Sequence, residues 1–205
     1  METSKNRIRR ITMAAVFAAL ATVIMMFKFP LAVIAPPFYK LDFSETIALI
    51  AGLALGPGAA VVVELIKNLL NLLIEGTVTA GIGELANFLM GVLFVLPASL
   101  IFRKRKTVGA MILGCVCSVL CLTVGAAFIN YWLLIPAYAK AFGATTEQIV
   151  GMGTAINGKI RDLRSLILIA TVPFNAIKGI ANALLSVLIF KPLEKALERA
   201  TGSAE

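Results

Sequence analysis

The sequence predicts an all-α integral membrane protein with six transmembrane helices and both termini in the cytoplasm, and three observations carry that reading. Of 205 residues, 60% are hydrophobic and 15% charged, far more apolar than a soluble domain of this length. Apolar runs close to the length that crosses a bilayer follow one another along the chain. The net charge of +8 gathers in short basic clusters at the ends of those runs, which suits membrane topology and excludes the continuous basic face of a nucleic-acid binder.

The first helix is expected over Ile8–Phe29, behind the basic segment 1–10. Ala19-Leu20-Ala21 resembles a signal cleavage site but lies inside the apolar run, so the segment reads as a retained helix. A loop holding Pro30, Pro36, Pro37, Phe38 and Tyr39 follows, and a second, shorter helix begins near Asp42 or Ser44. Gly56-Pro57-Gly58 divides this helix from a third that ends at Glu75, because proline lacks an amide donor and glycine favours turning backbone. The fourth covers Gly83–Phe102. The fifth, from Thr107 to about Tyr138, is too long for a bilayer and should project or break near Pro136. Residues 139–164 form a polar connection in which Thr145-Thr146-Glu147 marks a helix start. The sixth covers Ser165–Phe190, and an amphipathic cytoplasmic tail, 191–205, closes what reads as one domain over 1–205.

Orientation follows from the positive charges in alternate loops. Lys5, Arg7, Arg9 and Arg10, then Arg103, Lys104, Arg105 and Lys106, then Lys191, Lys195 and Arg199 all fall on one side, which is the cytoplasmic one. Cys115, Cys117 and Cys121 lie in one apolar run without metal or redox spacing and read as packing residues.

Polar residues inside the apolar runs are the functional signal, because an intramembrane charge normally faces a partner or a wet cavity. Lys178 lies 13 residues before Lys191, and Asn175 and Asn182 share its helix face. Glu64, Lys67, Asn68, Asn71 and Glu75 recur at three- and four-residue spacing, Glu84 and Asn87 form a shorter stripe, and Asn130 stands beside Tyr131 and Trp132. One reading is structural: Glu64 pairs with Lys67 at i, i+3 and asparagines bridge helices. The other is a pocket open to the outside, where Asn71, Asn87, Asn130, Asn175 and Lys178 meet a ring edge that carries both N–H and C=O groups. The aromatic loop at Phe38 and Tyr39 would close over such a ring.

Several segments also carry a resemblance that covers nearly the whole chain. Lys40-Leu41-Asp42-Phe43-Ser44-Glu45, Glu64 to Leu70, Gly83-Glu84-Leu85-Ala86-Asn87-Phe88, Asn130-Tyr131 and Pro173 to Gly179 make the sequence similar to the riboflavin-specific substrate-binding (S) subunits of energy-coupling factor (ECF) vitamin importers. The resemblance implies a six-helix S-component bundle in the bacterial plasma membrane that captures riboflavin from outside, with its first outer loop as a lid. It implies that Asn130, Asn175 and Lys178 recognise the polar edge of the flavin ring. Leu41, Asp42, Phe43 and Glu45 would contact ring or ribityl chain, with Glu84 and Asn87 contacting ligand or bracing the pocket. It further implies a membrane coupling subunit and two ATP-binding subunits as partners, docked through small residues of the first helix. Here Ala14 with Ala18 and Ala15 with Ala19 have that spacing.

The resemblance implies a transported ligand and no cofactor, metal or catalytic residue. The sequence agrees in lacking any G-x-x-x-x-G-K-[ST] phosphate loop. With no histidine, serine–histidine and H-E-x-x-H chemistries are excluded, which leaves an intramembrane enzyme only Glu64 or Glu84 as acid or base. Another vitamin, or FMN with its phosphate near Lys40, remains the alternative ligand.

Overall fold

The computed structural model describes residues 4–201, so the ends of the basic segment 1–10 and of the tail 191–205 lie outside the described residues. The order is α1 (Ser4–Met25), β1 (Phe29–Pro30), β2 (Lys40–Leu41), α2 (Ser44–Leu55), α3 (Pro57–Glu75), α4 (Ile82–Arg105), α5 (Val108–Ile129), a π turn (Asn130–Leu134), α6 (Ile135–Ala141), α7 (Thr146–Thr154), α8 (Leu163–Leu166), a second π turn (Ile167–Thr171) and α9 (Val172–Thr201). Among the described residues, five helical stretches are long and apolar enough to cross a membrane, and α2 is a shorter apolar helix.

Helix α2 organises the bundle. At 12 residues it rises only about 18 Å, too little to cross a bilayer alone. Every one of its residues except Ala54 is buried, against α1, α3, α4 and α9. Too short to span and apolar almost all round, it suits a place enclosed by longer helices. The predicted break lies where expected, with Gly56 at φ 101° and Pro57 opening α3. Only small residues permit this packing: a Cβ on Gly52 would lie 2.1 Å from Ser99 Oγ and 2.9 Å from Ala60 Cβ. Along α5, Val116, Leu120, Val124 and Phe128 are exposed at four-residue intervals, as are Ile180, Leu184 and Leu188 on α9, which marks the lipid face.

The fifth predicted helix does not break at Pro136. Residues 108–141 run on as one helical rod, and the π turn Asn130–Leu134 ends two residues before that proline. The final helix begins at Leu163 and continues past Phe190 to Thr201, through Pro192, and its π turn ends two residues before Pro173. A proline removes one i→i−4 bond and its ring crowds the carbonyl four residues back; widening the preceding turn to i→i+5 accommodates both while the helix continues. Thr145 caps α7 in a capping box with Gln148, as its sequence suggests. A two-residue ladder was not foreseen: Phe29 pairs with Leu41 and Pro30 with Lys40, pinching residues 31–39 into a closed loop.

The basic clusters gather at one end. Arg10 donates to the Leu55 carbonyl at 2.5 Å, and Phe102 meets Phe190 edge-on at 5.4 Å. Loop 31–39, the start of α4 and both π turns belong to the opposite half.

Candidate functional site

Two of the interior acids, Asp42 and Glu45, lie at the start of α2. Asp42 Oδ1 accepts the Ser44 amide at 2.9 Å and also the Ser44 hydroxyl, and Asn182 of α9 accepts the Thr46 amide at 2.9 Å. These bonds satisfy amides that a helix start leaves unpaired, and acids suit its positive end. Asn182 Nδ2 also donates to the carbonyls of Asp42, 3.1 Å, and Lys178, 3.0 Å, locking α2 to α9.

Lys178 reaches this turn from α9. Its Nζ lies 3.2 Å from Asp42 Oδ2 and 3.0 Å from Glu45 Oε1. Glu45 Oε1 lies 3.4 Å from Lys67 Nζ, which also sits 2.9 Å from Glu64 Oε2 and donates to Ser44 Oγ at 2.8 Å. The i, i+3 pair Glu64–Lys67 therefore forms as its spacing suggests. The partners of Lys178 come from another helix, so no spacing within α9 reveals them. All five charged side chains are buried, three acids against two bases, and each depends on its partners because an uncompensated charge there is costly.

Above this cluster lies a cavity of about 420 Å³, within the range that takes a small organic ligand. Its polar lining includes Asn130, Asn175, Lys178, Asn71, Asn87 and Glu84, brought together from α3, α4, α9 and the first π turn. Aromatic walls are supplied by Phe38, Tyr39, Tyr138, Phe142 and Phe174, with Phe38 and Tyr138 ring centroids 5.0 Å apart. Leu41, Asp42, Phe43 and Glu45 do not line this cavity. Leu41 is buried in the loop's own core with Tyr39 and Phe174, Phe43 packs against the same core, and Asp42 and Glu45 sit beneath it holding Lys178.

The hydrogen bonds fix which atoms the cavity meets. Asn130 Nδ2 donates to the Ala126 carbonyl at 2.8 Å and Oδ1 accepts from the Tyr39 hydroxyl at 2.8 Å, so the group left over is an N–H. Asn175 Nδ2 donates one N–H to the Thr171 carbonyl at 2.9 Å, leaving its carbonyl oxygen and its second N–H. Lys178, with three donors and two acid partners, keeps one N–H. The Tyr39 hydroxyl also lies 2.8 Å from Thr171 Oγ1, and burial raises its pKa well above the ordinary tyrosine value against the Thr171 hydrogen bond, so it remains a donor.

Two residues, Lys28 at the mouth and Thr171 buried behind the cavity wall, escaped the sequence reading. Lys28, just past α1, lines the cavity and contacts Glu75 at 2.5 Å and Asn71 Oδ1 at 2.8 Å. A lone lysine at the end of an apolar run reads as a membrane-boundary residue, which hid it. Thr171 carries no signal at all before the π turn is known. Asn71 Nδ2 and Asn87 Oδ1 are buried without a protein partner at the cavity wall. On α1, Ala14 is half-buried and Ala18 buried, whereas Ala15 and Ala19 are exposed. Among the described residues no group of His, Cys, Asp and Glu is arranged to hold a metal ion.

Comparison with known proteins gives a consistent picture. The family model described as "ECF transporter, substrate-specific component" matches residues 9–190. Riboflavin transporter FmnP of Bacillus subtilis is 30% identical over 194 residues, covering 94% of this chain and 96% of the relative. Riboflavin transporter RibU of Staphylococcus aureus is 30% identical over 191 residues, 93% of each. RibU of Streptococcus thermophilus is 31% identical over 190 residues, 92% of this chain and 84% of the relative. A solved structure described as the S component of a bacterial ECF transporter is 30% identical and superposes with a TM-score of 0.72, covering 94% of this chain and 99% of that one.

Proposed function

The chain belongs to the substrate-specific components of ECF transporters, and on that premise we propose that it captures riboflavin from outside the cell for uptake powered by partner subunits. It is a multi-pass membrane protein. We read it as one membrane-embedded unit of the bacterial plasma membrane with both termini cytoplasmic, so that the cavity, at the end opposite the basic clusters, opens outward.

One observation carries the choice of ligand. Asn130 and Lys178 present N–H groups and Asn175 presents C=O, while the dioxopyrimidine edge of a flavin presents two carbonyls and one N–H. Donors meet acceptors on both sides, and the aromatic walls suit a flat ring. In this reading Asn71 and Asn87, with Glu84 and Lys28 beside them, face the hydroxyl-bearing chain, since a hydroxyl satisfies an orphan donor and an orphan acceptor alike. Leu41, Asp42, Phe43 and Glu45 serve the ligand through Lys178 and the loop core. FMN is a second reading, because Lys40 and Lys28 line the mouth where a phosphate would emerge.

The chain performs no chemistry on its ligand. ATP hydrolysis belongs to two nucleotide-binding subunits, joined through a membrane coupling subunit that packs on the exposed Ala15 and Ala19 face. The deciding experiment is a titration of the purified, detergent-solubilised chain with riboflavin, followed by flavin fluorescence, with FMN and thiamine as competitors. Saturable one-to-one quenching is expected, and a folded sample that leaves riboflavin fluorescence unchanged defeats the assignment.

A further inference from the structure

We propose that Tyr39 is the positioning residue of this site: its hydroxyl sets the Asn130 carboxamide so that an N–H faces the ligand, and the same hydroxyl fastens loop 31–39 over the cavity. The ligand in this proposal is the riboflavin of the reading above, whereas the fastening stands on the ligand-free geometry alone.

Each proton in the chain of bonds has one place. The Ala126 carbonyl can only accept, so the nitrogen of Asn130 must point to it, at 2.8 Å, and the oxygen must point to Tyr39. That oxygen in turn can only accept, which commits the single Tyr39 proton to it at 2.8 Å. Thr171 Oγ1, 2.8 Å from the same phenol, is left to donate. Protons therefore run from Thr171 to Tyr39, from Tyr39 to Asn130 and from Asn130 to Ala126. Without the phenol, the Asn130 oxygen would lose the donor that holds it, and the Ala126 carbonyl alone would keep the carboxamide in this orientation.

The anchors are the two π turns, Asn130–Leu134 and Ile167–Thr171, with Asn130 opening the first and Thr171 closing the second. Tyr39 is thus the bolt between a loop and both irregular turns. The ring is buried, with centroids 4.7 Å from Phe38 and 5.2 Å from Phe174. Lifting the loop would break both hydrogen bonds and expose the ring together. Thr171 extends the effect, because its carbonyl orients Asn175 at 2.9 Å while its hydroxyl holds the phenol.

Tyr39→Phe keeps the ring packing and removes only the hydroxyl. The test is a double-mutant cycle of Tyr39→Phe with Asn130→Ala, read as riboflavin affinity, beside hydrogen–deuterium exchange of the 31–39 amides in the ligand-free proteins. Tyr39→Phe should weaken binding about three- to tenfold in the native background and change it by less than about twofold once Asn130 is alanine. Loop exchange should quicken in Tyr39→Phe and, to a smaller degree, in Thr171→Val, which keeps the phenol and serves if the first variant does not fold. Additive losses in the cycle, or loop exchange equal to that of the native protein in both variants, overturn the proposal. Native protein that fails to bind riboflavin defeats the ligand assignment instead, and the exchange data still decide the fastening.

Discussion

Lys178 holds two kinds of partner at once: Asp42 and Glu45 below it and the cavity above. Lys178→Ala is therefore expected to weaken riboflavin binding by about 1–3 kcal/mol through lost hydrogen bonding, and also to lower the melting temperature in detergent, because buried Asp42 loses its cation and Glu45 is left with Lys67 alone. The two effects separate in the pair Lys178→Met with Glu45→Gln, which should recover much of the melting temperature but not the binding. Thermal unfolding and titration of the same samples check this; parallel recovery of both would remove Lys178 from the ligand site. Below it, three acids face two lysines, so Glu64→Gln leaves two charges of each sign and should be mild. Lys67→Met leaves three acids to one lysine and should destabilise by about 3–5 kcal/mol, or prevent folding. Comparable melting temperatures for the two variants would show that the cluster is not held by charge balance. The importance of Lys178 was legible in the sequence as a lone charge in an apolar run. Its partners were not, because Asp42 and Glu45 lie more than 130 positions earlier and meet it only through the docking of α2 on α9.

Among the elements, α1 shows how a helix divides one sequence signal between two faces. Ala14 and Ala18 have the same spacing as Ala15 and Ala19, but Ala18 is 1% exposed and packs in the core whereas Ala15 and Ala19 are exposed. Bulky replacements at Ala15 or Ala19 should abolish uptake in cells and leave riboflavin binding by the purified chain intact, while Ala18→Trp should impair folding itself. Lost binding in the outward pair would mean that this face packs within the protein. The α4–α5 contact depends on a similar economy of size. A Cβ on Gly114 would lie 2.8 Å from the Cα of Ala98, a backbone atom that cannot turn aside. Gly114→Ala should force the helices apart at a cost of about 1–3 kcal/mol, seen as a lower melting temperature. The boundaries of α2, α3 and α7 follow from local signals, namely Gly56-Pro57-Gly58 and Thr145. The π turns escape such reading. Pro136 and Pro173 announce a disturbance, but whether the chain stops there or widens into a π turn and continues is not encoded in the local sequence.

For the molecule as a whole, the proposed division between capture by this chain and energy from partner subunits sets a clear expectation. Reconstituted alone in liposomes, the chain should bind riboflavin in proportion to the protein present and accumulate none; accumulation should appear only with the coupling subunit, both ATP-binding subunits and ATP. Accumulation by the chain alone would recast it as an independent transporter. Composition, apolar run length and the placement of lysine and arginine determine by themselves that this is a helical membrane protein, roughly where its helices lie and which residues are out of place in lipid, because the bilayer imposes those constraints on each segment separately. Which misplaced residues neutralise one another and which face a ligand is a matter of distance between segments. Only the packed bundle decided that Asp42 and Glu45 serve Lys178, that Lys28 guards the mouth and that Tyr39 spans two π turns. Hydrogen bonds and ion pairs act over a few ångströms, so they are settled by which side chains the fold brings within reach, whatever their separation along the chain.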